Sequence, residues 1–175
     1  ICVLHLPLGR QRQWGIRDGG NRPDPAPPLD NPGALECVRR RAAWAAEVRI
    51  HPMAALTKGC AGAEMTEIGF LMDAGAVAFT DAFRVTADAR VLSRALAYAR
   101  GLGALVVAHP QEPGLSRGAA ATSGKFATLK GLPAVSPMAE RIGLDRDLPL
   151  VAMTGPAVPF HPIPTPPPLP PPERP

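Results

Sequence analysis

Three short apolar runs separated by helical patterns constrain the fold of this chain more than any other feature. The runs are VRIHPMAAL (48–56), AVAFT (76–80) and ALVVA (104–108), and they show no regular alternation of apolar and polar residues. Continuous apolar runs of this length are typical of strands buried on both faces, as in parallel sheets covered by helices. The alternation of strands with helices therefore predicts an α/β fold built from parallel βαβ units.

Capping residues indicate where the helices between these strands begin and end. Asn31 and Asp88 are typical of helix starts, Gly75 suits a left-handed helix end, and Pro149 limits or kinks the last helix. The apolar spacing predicts helices over these ranges: 34–47, 64–74, 89–102 and 137–153. Two architectures satisfy this pattern, an open doubly wound sheet and part of a (β/α)8 barrel, and periodicity does not choose between them.

Proline is concentrated at the end of the sequence and divides the chain into three parts. Of the 23 prolines among 175 residues, 11 lie in 156–175, which predicts a disordered Pro-rich tail. Residues 1–21 show no lasting period and are expected to be irregular. The globular part is therefore expected to span residues 22–155.

Charge and hydropathy argue against several classes of protein. The net charge of +4 is spread along the chain, and the Arg39–Arg41 run lacks interleaved aromatic residues, so a solvated helix face is preferred over a nucleic-acid site. The sequence contains no run of about 18 apolar residues, so no membrane span is expected. Its first residues show no basic start followed by an apolar block, so no secretory signal is expected.

The three cysteines fit neither of the common cysteine-based sites. Cys2, Cys37 and Cys60 are odd in number and lack metal-site spacing, so they form neither a disulfide framework nor a zinc knuckle. Free thiols are typical of a reducing compartment. We therefore expect a cytoplasmic protein.

Polar residues directly follow two of the predicted strands. Asp81 follows AVAFT and His109 follows ALVVA, and the carboxyl ends of parallel strands meet at one rim of a sheet. Neighbouring strands lie about 4.8 Å apart, so the two side chains are expected to share one ligand. Carboxylate oxygen and imidazole nitrogen are ligands of zinc and similar ions. A turn-capping Asp and a structural His remain the alternative interpretation.

Other polar residues are weaker candidates. Glu112, three residues after His109, is expected either to orient a metal ligand or to lie on a loop surface. His51 is interpreted as a structural or edge position. Glu64 and Glu67 suit the first turn of a helix, where they favour its dipole. The Asp145–Asp147 segment is interpreted as a solvated helix face.

The stretch AALTKGCAGAEMTEIGFLMDAGAVAFTDAFRVTADARVLSRALAYARGLGALVVAHPQEPGLSRG (54–118) resembles the dihydroorotases of the amidohydrolase superfamily. The resemblance continues through GLPAVSPMAERIGLDRDLPLVAMTG (131–155), and RPDPAPPLDNPGALECVRRRA (22–42) resembles the exit of the family's second strand. The motifs TKG, MTE, AGAVAFTD, ALAYA and His-x-x-Glu are jointly specific.

This resemblance implies a fold, a reaction and a cofactor. It implies that the chain is a partial (β/α)8 TIM-type barrel from a metal-dependent hydrolase, usually with zinc. The implied reaction is the reversible ring closure of N-carbamoyl-aspartate to dihydroorotate in pyrimidine biosynthesis, where the metal polarises the amide carbonyl and activates water. Asp81 matches the strand-four metal ligand and His109 the strand-five ligand, whereas no substrate-binding residue is assigned.

Several positions depart from the family pattern. The family's first strand carries a His-x-His pair, but His5 has Val3 before it and Pro7 after it. Asp24 stands where the family usually has a substrate-binding Asn, and the His expected after residue 155 is not matched. The final strand and its proton-transferring Asp are not matched either, so no catalytic residue is assigned.

Three hypotheses for function therefore remain open. The first is a dihydroorotase-type enzyme whose activity is lost or needs another chain. The second is a non-catalytic dihydroorotase-like subunit that supports aspartate transcarbamoylase. The third is a frameshifted fragment without function, in which the tail is an out-of-frame product. A polyproline II ligand is the functional alternative for the tail.

Overall fold

A three-stranded parallel sheet forms the centre of the protein. The computed structural model describes residues 18–24, 26–46 and 48–154. Strands β1 (Asp18–Asn21), β2 (Arg49–Ala54) and β3 (Ala78–Phe79) lie in that order, with Asp18 opposite Arg49 and Met53 opposite Ala78. The order follows the sequence, as successive βαβ units predict.

The run ALVVA continues this sheet by one parallel bridge. Phe79 pairs with Val106, its N–H donates to the carbonyl of Leu105 at 2.8 Å, and the N–H of Val107 donates back to Phe79 at 2.8 Å. The prediction that 76–80 and 104–108 are neighbouring parallel segments is confirmed, although β3 is shorter than expected. The four segments form an open, all-parallel α/β sheet, and the described residues do not close a barrel.

Strand β1 was not predicted, because its sequence DGGN has poor strand propensity. Residues 18–21 lie within the stretch expected to be irregular, yet they pair along their whole length with β2. A Cβ at Gly20 would lie 3.1 Å from the Met53 Cε, so a larger residue there would require this flexible side chain to shift. Residues 1–17 and the predicted tail, 156–175, lie outside the described residues.

Helices α1 (Pro32–Ala45), α2 (Ile68–Asp73) and α3 (Ala89–Leu102) connect the strands. The predicted caps are confirmed at Asn31, which accepts from Ala34 N–H at 2.9 Å, and at Asp88, which accepts from Arg90 N–H at 2.7 Å. Helix α2 begins later than predicted, because residues 64–66 leave helical geometry to bond with the loop after β2. Gly75 has the expected left-handed backbone, with φ of 96°.

One apolar core lies between the sheet and these helices. Its buried members come from the sheet, from all three helices and from the Leu29 loop. Largest among them are the following side chains: Phe79, Leu29, Leu35, Ile68, Leu71, Leu96, Val38 and Val106. Leu35, Val38 and Ala42 form the buried stripe of α1, whereas Ala45 is exposed.

Beyond the sheet the chain forms smaller elements that the apolar pattern of the sequence does not predict. They are α4 (Pro113–Ser116), β4 (Ala121–Thr122), α5 (Lys125–Lys130) and β5 (Ala134–Val135), with β4 and β5 pairing in parallel. Helix α6 (Met138–Thr154) follows, as predicted, and continues through Pro149. None of the helices in the described part of the chain is long and apolar enough to span a membrane.

The interpretation of Asp145–Asp147 as a solvated face is wrong for Asp147. Helix α6 packs against α3 and turns Asp147 inward, where it is 2% exposed. The Nε atom of Arg146 donates to Asp147 Oδ1 at 2.6 Å, which offsets the cost of burying the carboxylate. Asp145 is exposed and pairs loosely with Arg141, as a solvated face predicts.

Candidate metal centre

Asp81 lies just beyond β3, at the carboxyl end of the sheet, and is 5% exposed. Its Oδ1 accepts the backbone N–H of Thr57 at 2.9 Å. Its Oδ2 accepts two hydroxyl groups, from Thr57 at 2.7 Å and from Thr86 at 3.0 Å. Three neutral donors therefore stabilise a buried carboxylate that has no ion-pair partner among the described residues.

Thr57 gives this arrangement its rigidity. It follows β2 at the same rim of the sheet, and its hydroxyl both donates to Asp81 and accepts from Gly62 N–H at 2.8 Å. The loop after β2 and the loop before α3 are thereby tied to one carboxylate. Because a carboxylate offers about four acceptor positions, these three bonds leave room for one further ligand.

His109 follows the Val106 bridge at the same rim. It lines one cavity together with Asp81, so the structure brings the two predicted residues together. The Nδ1 atom of His109 is buried and has no hydrogen-bond partner among the described residues. A buried, unpartnered imidazole nitrogen has lost its bonds to water and is available to a ligand.

The shared cavity is small, at about 20 Å³. A volume of this size holds about one water molecule or a single ion. Its polar walls are formed by these side chains: Asp81, Arg84, Thr86, His109, Arg146 and Asp147. Arg146 is paired with Asp147, so Asp81 and His109 are the two wall groups best suited to a cation.

The donor set fits a zinc ion in chemistry but not in number. One carboxylate and one imidazole nitrogen match the ligands zinc prefers. Protein zinc sites usually have at least three protein ligands. In the described part of the chain, no group of three or more His, Cys, Asp or Glu residues is placed to hold a metal. Asp81 and His109 thus offer two suitable donors, which is fewer than a zinc site usually has.

The Glu112 side chain caps the short helix α4, which directly follows it. Its Oε1 accepts Gly114 N–H at 3.1 Å and begins α4, while its backbone N–H donates to Ala139 O at 2.8 Å. No hydrogen bond joins the Glu112 and His109 side chains among the described residues. These contacts favour the loop-surface position for Glu112. They do not favour a role in orienting His109.

The remaining candidates are structural. His51 lies in the central strand rather than at an edge, and its Nε2 is 3.0 Å from Asp18 Oδ1. This contact, together with Arg49, lowers the pKa of Asp18. The expectation that Glu64 and Glu67 lie in a first helical turn is wrong, because α2 begins at Ile68 and Glu64 instead pairs with Lys58. That pairing raises the pKa of Lys58.

The two cysteines among the described residues are free thiols. Cys37 is exposed on α1, and Cys60 is buried in the loop after β2. Burial raises the pKa of the Cys60 thiol to about 11, with a further contribution from nearby Asp81. Cys60 is therefore protonated at neutral pH and is a poor metal ligand in this state.

Sequence reasoning missed three contributors to the site, namely Thr57, Thr86 and Asp147. The same rule that identified Asp81 and His109 would have found Thr57, since it is the first polar residue after β2. Thr86 and Asp147 give no such signal. Their positions depend on the packing of the loop before α3 and of α6.

A family model and several known proteins match this chain. The model described as "Dihydro-orotase-like" matches residues 20–157. A dihydroorotase from Thermus aquaticus is 39% identical over 134 residues, covering 77% of this chain and 32% of that protein. A dihydroorotase-like protein from Pseudomonas putida is 38% identical over 133 residues, covering 76% and 31% respectively.

A solved structure has a similar fold. The L-hydantoinase (dihydropyrimidinase) from Arthrobacter aurescens superposes with a TM-score of 0.63 and 17% sequence identity, over 83% of this chain and 34% of that one. At this identity the likeness concerns the fold alone. The chain spans about a third of the length of the curated relatives it matches.

Proposed function

The chain belongs to the dihydroorotase-like family, and from this premise we propose that it forms part of a metal-dependent cyclic amide hydrolase of pyrimidine biosynthesis. The proposed reaction interconverts N-carbamoyl-aspartate and dihydroorotate. The observation that carries the proposal is the pairing of Asp81 with the buried, unpartnered His109 at one cavity. The cytoplasm is the proposed location, in keeping with two free thiols.

Asp81 and His109 would hold the metal ion, and zinc is the ion that their chemistry favours. When bound, such an ion polarises the amide carbonyl and activates water for attack. The protein's own contribution is to hold the Asp81 carboxylate in a fixed position through Thr57 and Thr86. The carboxylate is then preorganised to bind a cation without first reorganising its surroundings.

We assign no base for proton transfer within residues 18–154, and two donors do not complete a zinc site. The proposed activity therefore requires groups beyond those described, from elsewhere in the protein or from another chain. We infer that the purified 175-residue chain alone does not close or open the dihydroorotate ring. Turnover that depends on zinc would show that the chain contains a complete site and would refute this inference.

Zinc affinity tests the metal role directly. We expect His109→Gln to weaken zinc binding at least about tenfold, because it removes one of two donors. His51→Gln is the matched control, since His51 is exposed and pairs with Asp18. Isothermal titration of each folded variant gives the comparison. Equal affinity in wild type and His109→Gln would contradict the assignment.

A second candidate is a non-catalytic subunit that supports aspartate transcarbamoylase. The observation that favours it is the number of metal donors. The described residues place only two donors together, which is too few for a catalytic zinc site. Co-purification with aspartate transcarbamoylase, in a complex that assembles equally well with His109→Gln, would favour this candidate. Loss of zinc binding in that variant without any complex would favour the first.

A further inference from the structure

The ring of Phe83 lies against His109. The two ring centroids are 6.2 Å apart and the planes are nearly perpendicular, at 86°. This edge-to-face arrangement is the favoured geometry for aromatic pairs, because the positive edge of one ring meets the negative face of the other. Phe83 is nevertheless 60% exposed, so burial alone does not explain its position.

The guanidinium group of Arg22 also contacts the Phe83 ring. The Arg22 guanidinium carbon lies 4.1 Å from the Phe83 ring centroid, and the same side chain is paired with Asp24 at 3.1 Å. Arg22 follows β1, Phe83 follows β3 and His109 follows the Val106 bridge. The stack therefore links the carboxyl ends of three parallel segments.

The backbone turn that presents Phe83 is constrained. Ala82 has φ of 57°, in the left-handed region that side chains other than glycine rarely adopt. Two bonds hold this turn: Ala82 N–H donates to the Thr80 hydroxyl at 3.1 Å, and Arg84 N–H donates to the Asp81 carbonyl at 3.0 Å. An unfavourable conformation kept beside a candidate ligand points to a function for the residue it positions.

His109 lacks the partner that usually orients such a residue. Metal-binding histidines almost always donate their second ring N–H to a carboxylate, a carbonyl or water. Among the described residues, His109 Nδ1 has no hydrogen-bond partner, and the Glu112 side chain accepts from Gly114 N–H instead. The aromatic contact with Phe83 is the directional interaction that remains.

We propose that Phe83 is a positioning residue, which fixes the plane of the His109 imidazole by edge-to-face contact and is itself held by Arg22. This inference rests on the proposed function for its consequence, namely ion binding at His109. The placement of the ring stands apart from that function, because it concerns the metal-free protein. Phe83 thereby takes the role that a hydrogen-bonding side chain has in other histidine sites.

The first experiment measures ring placement in the metal-free full chain. We expect Phe83→Leu to move the His109 ring-proton NMR signals, because the ring current of Phe83 is lost, and Phe83→Tyr to retain them. Phe126→Leu is the matched control, as Phe126 is 67% exposed and makes no ring contact among the described residues. Unchanged His109 signals in Phe83→Leu would overturn the proposal.

The second experiment measures zinc affinity in the same variants. An aromatic pair contributes enough energy that Phe83→Leu should weaken zinc binding roughly two- to tenfold, whereas Phe83→Tyr and Phe126→Leu should not. Equal affinity in Phe83→Leu with moved ring signals would refute the positioning role. If His109→Gln binds zinc like wild type, the proposed function fails, and the NMR signals alone still decide the placement of Phe83.

Discussion

The sheet region, residues 18–109, and the C-terminal region, residues 113–154, are built differently. Every fully buried member of the main core lies in the sheet region. The C-terminal region buries Ala127 and Ala139 and exposes many of its large apolar side chains. These exposed residues are the following: Leu115, Phe126, Leu129, Leu132, Met138, Ile142, Leu148 and Met153. We infer that stability resides mainly in the sheet region.

Helix α6 is the connection between the two regions. Leu150 and Val151 pack against the core, and the Arg100 side chain donates to the Thr154 carbonyl. Near His109, Gly143 of α6 lies directly on the backbone of Pro110 and Gln111. The candidate site is thus formed by the sheet region, and α6 encloses it.

A leucine-to-alanine substitution in each region should give the largest difference in the free energy of unfolding. Leu96 is fully buried in α3, so Leu96→Ala should lower the free energy of unfolding by about 2–5 kcal/mol through the cavity it creates. Leu129 in α5 is 75% exposed, and Leu129→Ala should change it by less than about 0.5 kcal/mol. Urea titration of both variants gives the comparison. Similar losses would contradict the division into two regions.

The hydrogen bonds of Asp81 should contribute to stability as well as to the site. Thr86→Val leaves Asp81 Oδ2 with one donor fewer, and the expected loss is about 1–3 kcal/mol because the acceptor is buried. Asp145→Asn is the control, since Asp145 is exposed and its ion pair with Arg141 is long, at 3.8 Å. Thermal unfolding followed by circular dichroism measures both. An unaltered melting temperature in Thr86→Val would mean that this network is dispensable.

Two glycines in helices should respond in opposite directions to alanine. A Cβ at Gly143 would lie 2.5 Å from the Gln111 N atom, so Gly143→Ala should push α6 from this loop and cost about 1–3 kcal/mol. Nothing lies within 4 Å of a Cβ at Gly101, so Gly101→Ala should stabilise α3 by up to about 1 kcal/mol. Chemical unfolding of both variants measures the sign of each change in the free energy of unfolding. A neutral Gly143→Ala would refute the close approach of α6.

Cys60 and Cys37 should differ in their rate of alkylation, and this is the smallest of the predicted effects. Cys60, whose pKa is raised to about 11, should react with iodoacetamide far more slowly at pH 8 than exposed Cys37. A thiol pKa higher in the folded than in the unfolded protein stabilises the fold below pH 9, and this contribution is lost as pH rises towards 11. Site-resolved mass spectrometry follows both residues. Equal rates would show that the loop after β2 opens readily.

The same contrast explains how much the sequence could predict. In the sheet region, Asn31, Asp88 and the apolar runs act locally, so helices α1 and α3 and the parallel order of the strands were predictable. Strand β1 was not, because DGGN is extended only through pairing with β2. In the C-terminal region, β4 and β5 have two residues each, which is too short for a periodic pattern.

For the site, strand-end reasoning identified Asp81 and His109, which do line one cavity. It could not identify Asp147, which pairs with Arg146, or Thr86, which donates to Asp81, because no local pattern distinguishes them from exposed residues. The ligand chemistry of both residues indicated a metal role and the family resemblance strengthened it, and this role stays a prediction. Phe83 was not identified either, since an exposed aromatic residue in a loop gives no signal until its ring partner is known.

The most direct test of a shared metal site is a zinc titration of the full chain, followed by NMR at both proposed ligands. We expect the imidazole nitrogen signals of His109 and the carboxylate carbon signal of Asp81 to move together, with one apparent Kd, while the His51 signals stay in place. Zinc that moves His51 and leaves His109 unchanged would contradict the central claim that the two strand ends share one metal site.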